Sequence, residues 1–203
     1  MNQRLIAFSA TALLFAAAAF AQNPVTADST FQVRYAANLN IGDSVVDITN
    51  TGATGNNICV NVYTFAPDEQ EISCCTCQVT PDGLASLSVK NSLINNTLTG
   101  VVPPAVVIKL IATKGACNAA TVTVGNLVTG MAAWGTTIHA LPVTPGSPAT
   151  TYGVTETAFT PSTLSAAELE RATSLCGFIQ TDGSGFGICG GCATGGLGAA
   201  AAQ

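Results

Sequence analysis

Residues 58–65 read ICVNVYTF and alternate between two sets of side chains. One set lies on one side of an extended chain and comprises Ile58, Val60, Val62 and Thr64. The other set lies on the opposite side and comprises Cys59, Asn61, Tyr63 and Phe65. Because successive side chains of a β-strand point to opposite faces, this alternation predicts a strand.

Similar signals recur along the chain at roughly 10-residue spacing, which is typical of all-β proteins. Alternating or apolar runs predict further strands over residues 31–36, 46–49, 84–89, 105–113, 121–124, 134–141 and 152–159. Turn signals separate them, as at Pro81-Asp82-Gly83, where the proline presets the first turn angle and the glycine accepts a positive φ. This pattern predicts an all-β fold, a β-sandwich of the Ig-like or jelly-roll type.

One helix is predicted over residues 166–178. Ser165 can cap its N-terminus, Glu168 can complete a capping box, and Leu164 can form a hydrophobic staple with Leu169. One face of this helix collects Leu169, Ala172, Leu175, Cys176 and Ile179. Gly177 is expected to weaken or end the helix, and a Gly- and Ala-rich tail follows.

The N-terminus predicts export. A short basic region ends at Arg4, an apolar stretch runs over residues 5–20, and Ala19-Phe20-Ala21 is a cleavage signal. The stretch is short for a membrane span. We therefore expect a signal peptide at 1–21 and a secreted protein, extracellular or periplasmic. Its β-sandwich domain is expected at 22–160, with the C-terminal helix and tail of residues 161–203 packed on the same domain.

The charge balance excludes some functions. The 203-residue chain has six Lys and Arg against eleven Asp and Glu, and charged residues make up only 8% of it, against roughly 25% in an average protein. So few basic side chains argue against nucleic-acid binding. A surface poor in charge suits an extracellular protein, and it also suits a protein that packs against copies of itself.

The cysteine count is even, and export exposes the thiols to an oxidising compartment. All eight residues are expected in disulfides, namely Cys59, Cys74, Cys75, Cys77, Cys117, Cys176, Cys189 and Cys192. Adjacent Cys74 and Cys75 point to opposite sides and should have different partners. A hairpin is expected to bring Cys59 beside one of these two. Cys176 is expected to pair with Cys189, Cys192 or Cys117 and so to hold down the tail.

Two alternatives use the same residues as thiolates. The segments 74–77 and 189–192 can supply four sulfurs to a zinc ion, and the C-x-x-C pair of the second can be a redox motif. Export disfavours free thiolates, and the redox motif lacks the βαβ context it requires. We therefore expect neither a metal nor another cofactor.

Other candidate chemistry is weak. His139, the single histidine, lies in an ordinary strand pattern without a nucleophile motif, so no catalytic site and no enzyme activity are expected. The acidic cluster Asp68, Glu69 and Glu71 lacks the spacing of a calcium loop and predicts a solvated turn. Three single aromatics on strands are expected in the core rather than on a sugar-binding face: Trp134, Tyr63 and Tyr152. Asn95-Asn96-Thr97 is a glycosylation sequon.

Three stretches together resemble a family of uncharacterised, exported, cysteine-rich bacterial proteins. They are residues 38–44, residues 59–63 leading to 74–77, and residues 175–180 leading to 185–189. The resemblance covers nearly all of the chain after the signal peptide and implies no activity. In plan the chain is also similar to a pilus subunit, but it lacks the C-terminal motif of those subunits, and its Gly- and Ala-rich tail is foreign to them.

These observations predict a secreted structural or interaction protein of the cell envelope or extracellular matrix, associating with itself or with other envelope proteins. The alternative is an extracellular module that binds carbohydrate or another surface ligand. An exposed aromatic strip would favour that module, and a polar cleft at His139 would favour an enzyme. Residues 22–37 can pair as a strand in their own sheet or in a neighbour's, and the first arrangement is favoured.

Overall fold

The computed structural model describes residues 29–141 and 151–194, so the expected signal peptide and the end of the tail lie outside the described residues. The described chain is mostly β, with one α-helix. Its strands are β1 (Phe31–Ala36), β2 (Val45–Asn50), β3 (Ile58–Phe65), β4 (Glu71–Val79), β5 (Leu84–Ser88), β6 (Val106–Thr113), β7 (Met131–Ala140), β8 (Tyr152–Ala158), β9 (Thr160–Pro161) and β10 (Ala193–Thr194). The helix is α1 (Ala166–Thr181).

The strands form two antiparallel sheets. The first sheet has the order β4-β3-β6-β1-β9, and the second has the order β10-β5-β2-β7-β8. β1 therefore pairs within its own chain, between β6 and β9, which is the favoured of the two arrangements for the N-terminal strand.

The main core lies where the two sheets contribute side chains to one buried cluster. Val60 and Ile108 come from the first sheet, while Ile48 and Leu87 come from the second, and none of the four is exposed. The sharing of one core by two sheets is sandwich-like.

A second core lies on the other face of the first sheet, under α1. Tyr63 and Phe65 of β3 pack there with Leu169, Cys176 and Ile179 of the helix. Ser165 caps the helix as predicted, since its hydroxyl accepts a hydrogen bond from the Glu168 N–H. The predicted helical face is confirmed, because all five of its residues belong to this core.

The helix ends three residues later than the sequence predicts, at Thr181 rather than at residue 178. Gly177 does not end it, because the helix packs against the 3-10 turn Ala119–Thr121 at this point. A Cβ on Gly177 would lie 3.9 Å from the Ala120 methyl group, an ordinary van der Waals contact. Tertiary packing overrides the weak helix propensity of glycine here.

Two strand predictions need correction. The strand expected at 121–124 is wrong, because these residues lie between and within two 3-10 turns, Ala119–Thr121 and Val124–Asn126. The side chain of Asn118 caps the first turn and diverts the chain from extended geometry. Conversely, β4 was not among the predicted strands, although a hairpin return through Cys74 and Cys75 was expected, and its nine residues pair with β3 along nearly their whole length.

Candidate functional site

Three of the four disulfides close one lateral edge of the molecule. Cys74 bonds to Cys176 of α1, Cys75 to Cys189, and Cys77 to Cys192. The fourth disulfide joins Cys59 to Cys117, and the described residues include no free cysteine. Three of the four therefore start from β4, which is an edge strand of the first sheet.

The expected partners were partly wrong. Cys74 and Cys75 do have different partners, as predicted. Cys59, however, lies opposite Gln78 in the β3–β4 hairpin, while Cys74 lies opposite Tyr63, four residues and roughly 13 Å further along the strand. Cys176 bonds to Cys74 because α1 covers the face of the first sheet to which Cys74 points.

The C-terminal segment completes this closed edge with main-chain hydrogen bonds. The Cys74 N–H donates to the Gly187 carbonyl (2.8 Å), and the Cys189 N–H donates to the Cys74 carbonyl (3.2 Å). β10 then pairs with β5 at the edge of the second sheet. Few apolar groups help, since Phe186 is 50% exposed and Ile188 46%, so disulfides and main-chain bonds hold the segment.

Among the described residues, the opposite edge is open. There the first sheet ends on β9, which has two residues, one of them a proline. The second sheet ends on β8, which has seven residues and pairs, among the described strands, only with β7. β8 is exposed along nearly its whole length, including Tyr152 and Val154.

The ladder between β7 and β8 defines which groups face outward. The Phe159 N–H donates to the Ala133 carbonyl, and the Leu141 N–H donates to the Thr151 carbonyl, both at 2.8 Å. Hydrogen-bonded pairs alternate along an antiparallel ladder, so the odd-numbered residues of β8 bond to β7. The N–H and C=O groups of the even-numbered residues therefore point to the free edge, namely those of Tyr152, Val154, Glu156 and Ala158.

A polar groove of about 520 Å³ lies on the inner side of this open edge, lined by residues of β1, β7, β8 and β9. Arg34 of β1 lies within it, 8% exposed. Its Nη1 donates to the carbonyl (2.9 Å) and the hydroxyl of Thr157, and its Nη2 donates to the Thr137 hydroxyl (2.9 Å). Arg34 thus connects the two sheets, and its burial lowers the pKa of the guanidinium, an effect that nearby Glu156 opposes.

Gly135 makes room for this arginine. A Cβ at that position would lie 2.5 Å from Arg34 Nε and 2.7 Å from its Cδ, closer than nonbonded carbon and nitrogen atoms approach. The strand glycine is therefore a packing requirement of the groove.

His139 also lines the groove, but its surroundings offer no nucleophile activation. Its Nε2 lies 2.8 Å from the Thr155 hydroxyl. The groove-lining residues include no acidic side chain to orient the ring, as a Ser-His-Asp arrangement requires. A polar groove thus exists at His139 without the partners of a triad.

The three aromatic residues that were expected in the core differ in their exposure to solvent. Tyr63 is buried as expected, and its hydroxyl donates to the Ala119 carbonyl (2.7 Å). Tyr152 is 52% exposed and Trp134 is 36% exposed, so the prediction that these two lie in the core is wrong. Both lie on the outer face of the β7–β8 hairpin, but Trp134 pairs with Ala158 and Tyr152 with Ala140, at opposite ends. They do not form a continuous strip.

The three residues of the acidic cluster also differ in their exposure to solvent. Asp68 and Glu69 are exposed as predicted, but Glu71 is 3% exposed, and neither of its oxygens has a hydrogen-bond partner in the described part of the chain. Burial raises the pKa of the Glu71 carboxyl to about 9, with Glu168 adding to the effect and Lys109 and Arg171 opposing it. Burial likewise raises the pKa of Tyr63, with Glu71 contributing.

Lys109 does not neutralise Glu71, because its ammonium bonds to Glu168 and lies 4.1 Å from the centroid of the Phe65 ring. The Glu71 carboxyl lies beside the buried disulfide between Cys74 and Cys176, under α1. Oxygen and sulfur atoms of Glu71, Cys74 and Cys176 lie within 4.8 Å of one another. The two sulfurs are bonded to each other, so they are not thiolate ligands for a metal.

The glycosylation sequon lies on the surface at Asn95, which is exposed, while Thr97 is buried and donates to the Val101 carbonyl (2.9 Å).

Among the described helices, none has the length and apolar character to cross a bilayer. No protein-family model matches the chain, and neither a curated protein nor a solved structure is similar to it.

Proposed function

We propose that the protein is an exported structural or interaction protein of the cell envelope or extracellular matrix, and that two copies associate by pairing their β8 strands. We also assign its two sheets to a β-sandwich of the Ig-like or jelly-roll type. The observation that carries the proposal is the free edge of β8. Unpaired N–H and C=O groups on an exposed edge are a template for another strand, and β8 contains no proline or lysine that would hinder pairing.

The sequence of β8 suits an antiparallel pair with a two-fold axis at Thr155. In that register Val154 lies opposite Glu156 of the second copy, and Tyr152 lies opposite the second copy's Ala158. All four outward-facing residues are then used, as an isologous interface requires. The register also keeps the two Glu156 carboxylates from lying directly opposite each other, which would be destabilising.

Composition supports the same conclusion. The low charge of the chain reduces repulsion between copies. The four disulfides are the kind of cross-link that forms and persists in exported proteins. The β4 edge is closed by disulfides, whereas the β8 edge on the opposite side is free. Association between copies is therefore expected at β8.

The test is a proline in place of an outward-facing residue. Val154→Pro removes an N–H that points away from β7, so the hairpin ladder stays intact, and proline is tolerated on edge strands. Val154→Thr is the matched control, because it keeps the N–H and a β-branched side chain. Both variants are compared with the wild type by sedimentation equilibrium of the exported, processed protein.

We expect the wild type and Val154→Thr to dimerise with similar affinity. Val154→Pro removes two hydrogen bonds across the axis, each contributing about 0.5–1.5 kcal/mol, so its dimer should be roughly 5- to 150-fold weaker. A wild-type protein that stays monomeric at millimolar concentration contradicts the proposal, as does equal dimerisation of all three proteins.

A further inference from the structure

We propose that the groove on the inner side of the open edge binds an acidic sugar, with Arg34 receiving the carboxylate of a uronic-acid residue. This inference is independent of the β8 pairing, because the groove lies on the inner face of the sheets and the pairing uses outward main-chain groups of the edge.

The Arg34 guanidinium carries a buried positive charge that has no ion-pair partner among the described residues. Arg34 is more than nine-tenths buried, and burying a cation without a counter-ion is costly. Among the described residues the only ion pair is Lys109 with Glu168. Glu156 acts on Arg34 without forming an ion pair with it, and the groove-lining residues include no carboxylate, so a bound anion would supply a counter-charge in direct contact.

The second argument is the count of guanidinium donors. Nη1 donates to the carbonyl and the hydroxyl of Thr157, and Nη2 donates to the Thr137 hydroxyl. The Nε–H and the second Nη2–H have no acceptor among the described residues. Nε and Nη2 share one edge of the guanidinium, and such an edge matches a carboxylate in the bidentate manner.

The third argument identifies the rest of the ligand. Besides Arg34, the groove presents hydroxyl groups and one imidazole, from Thr137, Thr155, Thr160, Ser162 and His139. These groups both donate and accept, as the hydroxyls of a sugar do. The groove volume of about 520 Å³ lies in the range of small-ligand sites.

The experiment is a titration of the exported, processed protein with a galacturonic-acid trisaccharide. The readout is the ¹H–¹⁵N signal of Arg34 Nε, which reports directly on the proposed contact, together with calorimetry. A neutral glucose trisaccharide and a short peptide with a free C-terminal carboxylate are titrated in parallel. Arg34→Lys keeps the charge but loses the bidentate edge, and Lys114→Met removes one exposed cation elsewhere as the matched control.

We expect the acidic trisaccharide to shift the Arg34 Nε signal and to bind at least tenfold more tightly than either the neutral sugar or the peptide. Arg34→Lys should weaken binding at least tenfold, and Lys114→Met should change it less than twofold. An unmoved Arg34 signal at saturating acidic sugar overturns the proposal, and this readout needs no variant. Equal binding of the neutral sugar overturns the role of the carboxylate, and tighter binding of the peptide overturns the assignment to a sugar.

Discussion

Glu71 gives the sharpest prediction of how stability depends on pH. The carboxyl is buried without a hydrogen-bond partner, and its pKa rises from 4.5 to about 9, chiefly because of burial. Glu71 is therefore protonated in the folded protein over a range in which it is ionised in the unfolded chain. The stabilisation from the protonated Glu71 is therefore complete below pH 4.5 and is lost progressively as the pH rises from 4.5 through 9.

The magnitude follows from one proton per molecule. Each pH unit between the two pKa values lowers the free energy of unfolding by about 1.4 kcal/mol, so the loss between pH 5 and pH 8 is about 4 kcal/mol. Glu71→Gln stays neutral throughout and has nearly the same shape. It should therefore become more stable than the wild type by about 4 kcal/mol on going from pH 5 to pH 8.

The assay is guanidinium-induced unfolding, with the disulfides intact, at several pH values from 5 to 8. Every other titrating group is shared by the two proteins, so the difference between them isolates Glu71. Glu170→Gln is the control, because Glu170 is exposed on α1 and its replacement should leave the pH dependence nearly parallel to that of the wild type. If the difference between Glu71→Gln and the wild type grows by less than about 1 kcal/mol over this range, the argument from burial is refuted.

Three further predictions concern the two edges and the groove. Gly135→Ala should destabilise the protein by about 1–3 kcal/mol in chemical unfolding, because the added methyl group collides with Arg34; a loss below 0.5 kcal/mol would contradict this packing. Replacing Cys77 and Cys192 together by serine should open the closed edge, so that limited proteolysis cuts within residues 183–194, and equal cleavage of the wild type would count against the role of the disulfide. Thr155→Cys should form a covalent dimer under mild oxidation, because the Cα atoms of residues that face each other across the proposed axis are roughly 4.5 Å apart. A product that remains a monomer on non-reducing gels would exclude that register.

Elements with local signals could be predicted from the sequence. The alternation at Ile58 to Phe65 and the apolar run of β6 identify strands, and Ser165 with Glu168 identifies the start of the helix. β4 lacks such a signal, because the polar side chains of SCCTC interrupt its apolar pattern. Its strand geometry comes from pairing with β3, which the local sequence does not encode.

The candidate sites depend on contacts between distant segments. Glu71 lies two residues after Glu69 in the sequence, yet the turn formed by the Glu69 N–H and the Ala66 carbonyl (3.0 Å) separates their environments. Glu69 stays in solvent, while Glu71 begins β4 beneath α1. Likewise Arg34 has no sequence signal of a binding site, because the hydroxyls around it come from β7, β8 and β9. Only the strand order brings these residues together.

The distribution of protective features over the sheet edges is itself evidence about β8. The described strands leave four edges. β4 donates and accepts main-chain hydrogen bonds with residues 187–189, while β9 and β10 have two residues each, and β9 contains Pro161. Short strands, prolines and covering segments are the means by which proteins prevent unwanted strand pairing. β8 uses none of them along its seven residues, although its side chains give a register in which every outward-facing group finds a partner. In a chain that protects its other edges, the simplest physical reason for leaving this one unprotected is that another strand pairs with it.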